Sequence, residues 1–379
     1  MQVISAASKQ KARSLWLRRC KTGCWSTLRK EKTYRKPIAV DLFSGCGGLT
    51  LGLKQAGFRV AAAVEIDDLA VESYKANHPG VRIWHTDIRK LPAAKVKQQL
   101  RRKKHPLDLL AGCPPCEGFS GLTTLNGRRR RRDPRNELIF EFLRFVRVLR
   151  PRAVMMENVP GLLRNHRLSR FVRALESMGY ACTYGVLDAA DYGVPQRRRR
   201  FILVAGKSRT IRFGRPSNRR KTVRDALRNL TKRSNADALR TLPERRSEAI
   251  ATLIRRIPRN GGSRAALGTK RQLRCHKDFD GFHDVYGRME WDAVAPTITS
   301  GFVNPSKGRF LHPVRNRTVT LREGALLQGF PATYRFSLRR GKFPAAEMIG
   351  NALPPPFVRR HARSIYRYLQ ERRHAASKG

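Results

Sequence analysis

Two hydrophobic textures alternate through the first half of the chain. Short apolar runs end at glycines or acids, and between them apolar residues return every three or four positions. The first run, Ile38-Ala39-Val40-Asp41-Leu42-Phe43, leads into Ser44-Gly45-Cys46-Gly47-Gly48. A helical pattern follows through Leu49, Leu51, Leu53 and Ala56 and stops at Gly57. A second strand is predicted over 59–65, ending on Glu65, and a helix from Asp67 to about Asn77. A third strand over 81–85 ends near Asp87, a basic helix covers 93–104, and a fourth strand over 107–112 runs into Cys113-Pro114-Pro115-Cys116. The pattern then predicts a helix over 135–149, a strand over 153–156, a helix over 165–178, a strand near 180–187 and a strand over 201–204. Short apolar runs suit buried strands, and the 3.6-residue period suits helices packed on them. Their alternation predicts an α/β, doubly wound sheet.

From about 206 this rhythm breaks. Residues 207–235 are basic with short elements, and 258–288 carry Gly261-Gly262, Gly268, Gly281 and Gly287. A second, smaller, loop-rich domain is expected over 207–316. The catalytic and cofactor-binding domain would cover 37–206, and 317–379 would return to it. There, Thr320-Leu321-Arg322-Glu323 reads as a capping box opening a helix, and Phe357 to Leu369 reads as a final helix.

Charge narrows the partner. Among 379 residues, Lys plus Arg is 80 and Asp plus Glu is 28, a formal charge of +52. Such a surface concentrates a polyanion and speeds its encounter, although an arginine-rich, GC-biased genome would produce part of the surplus. Residues 1–36 form a basic extension. It reads as an arm touching phosphates, an extension without a role, or an organelle transit peptide. No run approaches the roughly 20 apolar residues of a membrane span, and no signal-peptide core opens the chain. Seven cysteines, an odd number, fit reduced thiols in a cytoplasmic compartment.

The candidate chemistry lies at the predicted strand ends, where ligands gather in open α/β sheets. Phe43 offers a face for an adenine, and Gly45 and Gly47 let the backbone approach a ligand. Glu65 can accept ribose hydroxyls, and Asp87 an adenine amine. That ordered set points to an adenosine-type cofactor. At Cys113-Pro114-Pro115-Cys116 a redox reading lacks a thioredoxin-like context, and a zinc reading lacks a second ligand pair. Cys116 is left as a nucleophile, with prolines stiffening the backbone before it.

Six motifs, DLFSGCGGL at 41–49, PPCEGFS at 114–120, ENV at 157–159, QRRRR at 196–200, LQGFP at 327–331 and GNALPP at 350–355, stand in the order found in DNA cytosine-5 methyltransferases. The chain resembles the prokaryotic members of that family over about 37–370. The resemblance implies a Rossmann-like fold dependent on S-adenosyl-L-methionine, with a target-recognition domain. It implies that Phe43, Gly45, Gly47, Glu65, Ile66, Asp87, Pro115 and Asn351 meet the cofactor. It casts Cys116, Glu157, Arg198 and Arg200 as the catalytic set. Thr297 resembles a threonine near the flipped base, and Arg128, Arg129 and Arg130 adjoin the nucleophile and would contact DNA phosphates. The final helix would pack back beside the first strand. Glu117 departs from the family's usual Gln. No metal site is expected.

The expected partner is double-stranded DNA, and a monomer in the bacterial cytoplasm is expected, either solitary or the modification half of a pair whose restriction endonuclease acts separately. The alternatives are an RNA (tRNA) cytosine-5 methyltransferase and a basic nucleic-acid-binding protein without catalysis.

Overall fold

In the computed structural model, residues 35–102, 107–115, 133–228, 230, 237–242, 244–268 and 284–376 are described. Residues 1–34 of the basic extension, Cys116, Glu117 and Arg128 to Arg130 lie outside them. Lys36–Gly379 forms a single unit.

The catalytic half opens with β1 (Ile38–Leu42), α1 (Gly48–Gln55), β2 (Arg59–Glu65), α2 (Asp68–Asn77) and β3 (Arg82–His85). It continues through α3 (Ala93–Arg102), β4 (Leu109–Gly112), α4 (Leu138–Leu149), β5 (Ala153–Asn158), α5 (His166–Glu176), β6 (Tyr180–Asp188) and β7 (Arg199–Lys207). The described strands form one seven-stranded sheet in the order β3-β2-β1-β4-β5-β7-β6. β1 to β5 pair in parallel, whereas β7 runs antiparallel to both β5 and β6. Between β6 and β7 stand a 3₁₀ turn, Ala189–Tyr192, and a short loop. Without a crossover helix, the chain reverses and β7 slots in beside β5.

Side chains alternate across the sheet, as a two-residue period requires. Val40, Leu42, Leu110, Val154 and Met156 pack with α3, α4 and α5 on one face. Ala39, Leu109, Ala111 and Met155 pack on the other. On that second face lie α1 and the last helix, α11 (Pro355–Ala376), which is longer than the expected Phe357 to Leu369. α11 meets the first helix as well as the β1 face, because Val358, Ala362 and Ile365 join Leu49, Leu53 and Ala39 in one buried cluster.

After β7 come α6 (Val223–Leu227), α7 (Ala238–Thr241), α8 (Glu248–Arg256), α9 (Leu321–Leu327) and α10 (Lys342–Asn351), linked by long irregular segments. The capping box appears as expected: Thr320 and Glu323 cap α9 reciprocally. In the irregular part, Arg288 is fully buried. Its guanidinium donates to the carbonyls of Ile254, Ile257, His312 and Arg315 and to Asn316 Oδ1. A buried cation thus does for this loop-rich region what a ladder of backbone bonds does for the sheet.

Asp41, on the α1 face of β1, is fully buried. Its Oδ2 accepts from Thr50 Oγ1 at 2.6 Å, and Thr50 also meets the Tyr74 hydroxyl at 2.8 Å. Its Oδ1 has no partner among the described residues. Burial pushes this carboxyl up to about 8, against the opposing Thr50 hydrogen bond. The folded value lies above the unfolded one, so the contribution to stability is full below about pH 4. It is lost as the pH rises through about 8. Asp41→Asn, which keeps an acceptor for Thr50, should flatten that decline. Urea midpoints from about pH 6 to about pH 9 check it. A wild-type midpoint that does not fall more steeply than the variant's refutes a neutral buried carboxyl.

Candidate active site

The loop from Phe43 to Gly47 connects β1 to α1 in a conformation that the backbone resists. Phe43, Gly45 and Gly47 all have positive φ, at 58°, 52° and 97°. For Phe43 that costs about 1–2 kcal/mol, so the loop needs anchors. Ser44 N–H donates to Val64 O at 3.0 Å, and Gly45 N–H to Glu65 Oε2 at 2.8 Å. Glu65 Oε1 accepts from the N–H groups of Ile66 and Asp67 at 2.9 Å. Burial raises the Glu65 carboxyl, while these backbone donors pull the other way. Beside it Ile66 holds its apolar side chain 61% exposed.

One strand further, Asp87 caps the 3₁₀ turn Ile88–Lys90 and pairs with Arg89 at 2.5 Å. The Arg89 hydrogen bond holds its carboxyl below the usual range. It stays an acceptor at neutral pH.

The ends of β4 and β5 are tied together. Asn158 Nδ2 donates to Pro114 O at 3.1 Å, fixing the backbone two residues before Cys116. Glu157, mostly buried, faces Arg200 Nε at 3.0 Å. The nearby Cys113 thiol is pushed well up by burial and by the Glu157 charge, which leaves it a packing group.

Of the four arginines in the 196–200 motif, Arg198 and Arg200 do different things. Arg198 is 2% exposed. Its Nη1 donates to Ile298 O at 3.0 Å and its Nη2 to Gly350 O at 2.8 Å. Arg200 reaches the Glu157 carboxylate. Gln196 joins Arg198 in the buried layer. It donates to Leu327 O and to Gln328 Oε1 and accepts from Ile298 N–H, while Gln328 donates to Ile349 O. Thr297 Oγ1 donates to Arg197 O at 2.6 Å. A Cβ on Gly350 would lie 2.3 Å from Thr299 O, so the chain passes here only as glycine.

These pieces border one cleft of about 1570 Å³. Phe43, Gly45, Glu65, Ile66, Asp87, Pro115, Glu157, Arg198, Arg200, Thr297 and Asn351 all line it. Gly47 does not. A Cβ there would lie 2.6 Å from the His78 ring, so the backbone passes close to that ring. Arg198 borders the cleft, but both of its terminal nitrogens are engaged by carbonyls, which makes it a holder of backbone. The roles of Gln196 and Gln328 were not read from the sequence. Both stand inside quoted motifs, and that was the available signal.

An adenosine cofactor fits this wall. A Cβ on Gly45 would meet nothing within 4 Å, so the loop leaves open space there. Ser44 Oγ is buried without a partner among the described residues and borders the same cleft.

The family model for C-5 cytosine-specific DNA methylases matches residues 38–367. The chain belongs to the C-5 cytosine-specific DNA methylase family. Among its relatives, Type II methylase M.HgiDII of Herpetosiphon aurantiacus is 34% identical over 87% of this chain and 95% of its own length. Type II methyltransferase M1.BsuMI of Bacillus subtilis is 32% identical over 86% and 79%. A crystal structure described as a DNA modification methyltransferase of an E. coli prophage superposes with a TM-score of 0.65. It is 28% identical and covers 88% of this chain and 100% of that one. The S. pombe Dnmt2 methyltransferase, 19% identical with a TM-score of 0.56, covers 88% and 99% and shares the fold. As a C-5 cytosine-specific DNA methylase, this protein binds DNA and methylates cytosine in it at carbon 5, with S-adenosyl-L-methionine as methyl donor. Among the described residues no helix is long and apolar enough to cross a membrane.

The two arginines should separate in the laboratory. Arg198→Ala orphans two buried carbonyls and should cost about 2–3 kcal/mol of stability. Arg200→Ala leaves Glu157 at the open cleft, where water can reach it, and should cost less stability than Arg198→Ala while reducing methyl transfer. Urea unfolding beside an activity assay checks this, and equal destabilisation by both variants refutes the division of roles.

Proposed function

We propose that the cleft is the methyl-transfer site of a sequence-specific, prokaryotic methyltransferase acting on duplex DNA. The juxtaposition of Glu157, Arg200 and Asn158 with the Pro114 carbonyl carries this reading. It sets a carboxyl and a cation beside the backbone that leads into Cys116. Cofactor contacts are assigned to Phe43, Gly45, Glu65, Ile66, Asp87, Pro115 and Asn351. When bound there, S-adenosyl-L-methionine supplies an electrophilic methyl group.

The chain's own residues do the rest. Carbon 5 of cytosine is a weak nucleophile, and a Cys116 thiolate bonded to carbon 6 turns the ring into an enamine that can attack through carbon 5. Negative charge grows on the ring during that addition. Glu157 acts as the general acid at ring nitrogen 3 and offsets it, with Arg200 holding the carboxyl in place. A base, a role that water can fill, removes the carbon 5 proton, and the Cys116–carbon 6 bond breaks. Arg198 acts at one remove, as a positioning residue for Thr297 and Asn351.

A stacked base cannot reach this cleft, so the cytosine must be rotated out of the helix. Thr297 and the run Arg128 to Arg130 are assigned to the DNA backbone, and residues 207–316 to target recognition. The enzyme is read as a monomer of the bacterial cytoplasm, either paired with a separate restriction endonuclease or solitary.

Labelled methyl transfer to duplex DNA and to tRNA tests the substrate, and transfer to tRNA alone overturns the reading. A duplex carrying 5-fluorocytosine should trap a covalent complex with wild type and none with Cys116→Ser. Glu157→Gln should lower the turnover rate by roughly 10²–10⁴-fold. Affinity for duplex should fall steeply with salt, and a flat salt titration would remove the phosphate contacts.

A further inference from the structure

The loop that begins the cofactor wall is held from behind as well as from the cleft side. Tyr334, only 3% exposed, stands in the segment between α9 and α10. Its hydroxyl donates to Cys46 O at 2.6 Å. That hydroxyl has one hydrogen, so its 3.0 Å contact with His78 Nε2 must have the histidine as donor. His78 Nδ1 then carries the lone pair, and Lys54 Nζ stands 3.2 Å from it. Burial, reinforced by the Lys54 charge, pushes His78 down to about 4, so a neutral ring with a single proton fits this order. His78 Nε2 also lies 3.2 Å from Gly47 O. The one Nε2 hydrogen is thus shared between the Tyr334 oxygen and Gly47 O, and Tyr334 gives its own hydrogen to the loop.

The ring of Tyr334 is itself fixed. Its carbonyl accepts from Arg322 Nη1 at 2.7 Å, and Arg322 Nε is paired with Asp237 at 2.7 Å. The neighbouring Arg335 exchanges two backbone hydrogen bonds with the Asn77 side-chain amide. Phe330 and Phe336 pack against the ring, with centroids at 4.7 and 5.2 Å.

We propose that Tyr334 is a positioning residue of the cofactor site: oriented by His78, its hydroxyl fixes the Cys46 carbonyl and so holds the Phe43–Gly47 backbone in its left-handed path. This rests on the reading that the loop borders the S-adenosyl-L-methionine cleft. Three features support it. The loop is strained at Phe43. Its cleft-side anchors act on Ser44 and Gly45, and the Leu51 N–H holds Gly47 O at 2.9 Å, which leaves the Cys46 carbonyl to Tyr334. Removing the hydroxyl would strand a buried carbonyl, a loss felt locally.

The test is binding of S-adenosyl-L-methionine to the full chain by calorimetry, beside steady-state methylation of duplex DNA. Tyr334→Phe should weaken cofactor binding roughly ten-fold and raise the cofactor KM in parallel, while kcat at saturating cofactor stays within about two-fold. A merely structural role would lower thermal stability without that split. Should Tyr334→Phe fail to fold, His78→Leu, which removes the orienting donor and leaves Tyr334 in place, should give a smaller loss of the same kind. Glu65→Ala is the control on the cleft. If Glu65→Ala weakens binding and neither variant behind the loop does, this inference fails alone. If none of the three changes the affinity, the cofactor reading of the cleft fails with it.

Discussion

Arg198 is a cation sealed from water, and carbonyl oxygens meet its terminal nitrogens. Leaving a guanidinium buried without partners would cost several kcal/mol, so the fold must bring partners to it. They come from far away in sequence: Ile298 O is 100 residues on and Gly350 O is 152. The start of the last strand is thereby stitched to two late segments. Gln196 and Gln328 complete the layer by bonding Leu327 O, Ile349 O and the Ile298 amide. Once Ile298 and Gly350 are held, Thr297 and Asn351, their chain neighbours, can only stand at the cleft. The same constraint makes residue 350 a glycine, because Thr299 O occupies the space of a side chain.

What was legible in the sequence follows from how local each feature is. β1, the glycine loop and α1 are written in adjacent residues, and so are Glu65 at one strand end and Asp87 past the next. Their positions at the cleft could be read directly. The α9 capping box is equally local. The placement of β7 was not legible, since a strand's neighbour depends on the whole topology, and Phe201 to Val204 would read the same beside either neighbour. Gln196 and Gln328 look like two amides in two separate motifs, and only the 2.7 Å contact between them shows that they are one device. The packing of His78 against Gly47 was not legible either, because the two stand 31 residues apart in the chain.

The charge can now be apportioned. Acids number 28 against 80 basic residues, so pairing can never neutralise the surplus. Many of the acids that pair are engaged in structural work: Asp237 with Arg322, Glu323 with Arg317, and Asp67 and Asp68 with Arg340. Glu157 with Arg200, Asp87 with Arg89 and Asp67 with Arg340 are pairs that border the cleft. Internal pairing therefore consumes the acids, and the remaining positive field is directed outward, where a polyanion releases its counterions on contact. That field brings DNA to the protein. It selects neither the base nor the reaction, both of which depend on a few groups inside the cleft.

Residues after β7 reach the cofactor loop through a short run of buried contacts. Asp237 at the N-cap of α7 holds Arg322 on α9, Arg322 holds the carbonyl of Tyr334, and the Tyr334 hydroxyl holds the Cys46 carbonyl. Each of these bonds joins elements distant in sequence, and each involves a group too buried to exchange its partner for water at no cost. A displacement of α7 therefore cannot be absorbed at Arg322 without loosening either the ion pair or the carbonyl of the residue that orders the loop. Any free-energy coupling carried along such a line is reciprocal: a ligand that orders the glycine loop steadies α7 by the same amount that ordering α7 steadies the loop. The glycine loop at the cleft and the segment around α7 are thus parts of one packed framework and not two separately held pieces.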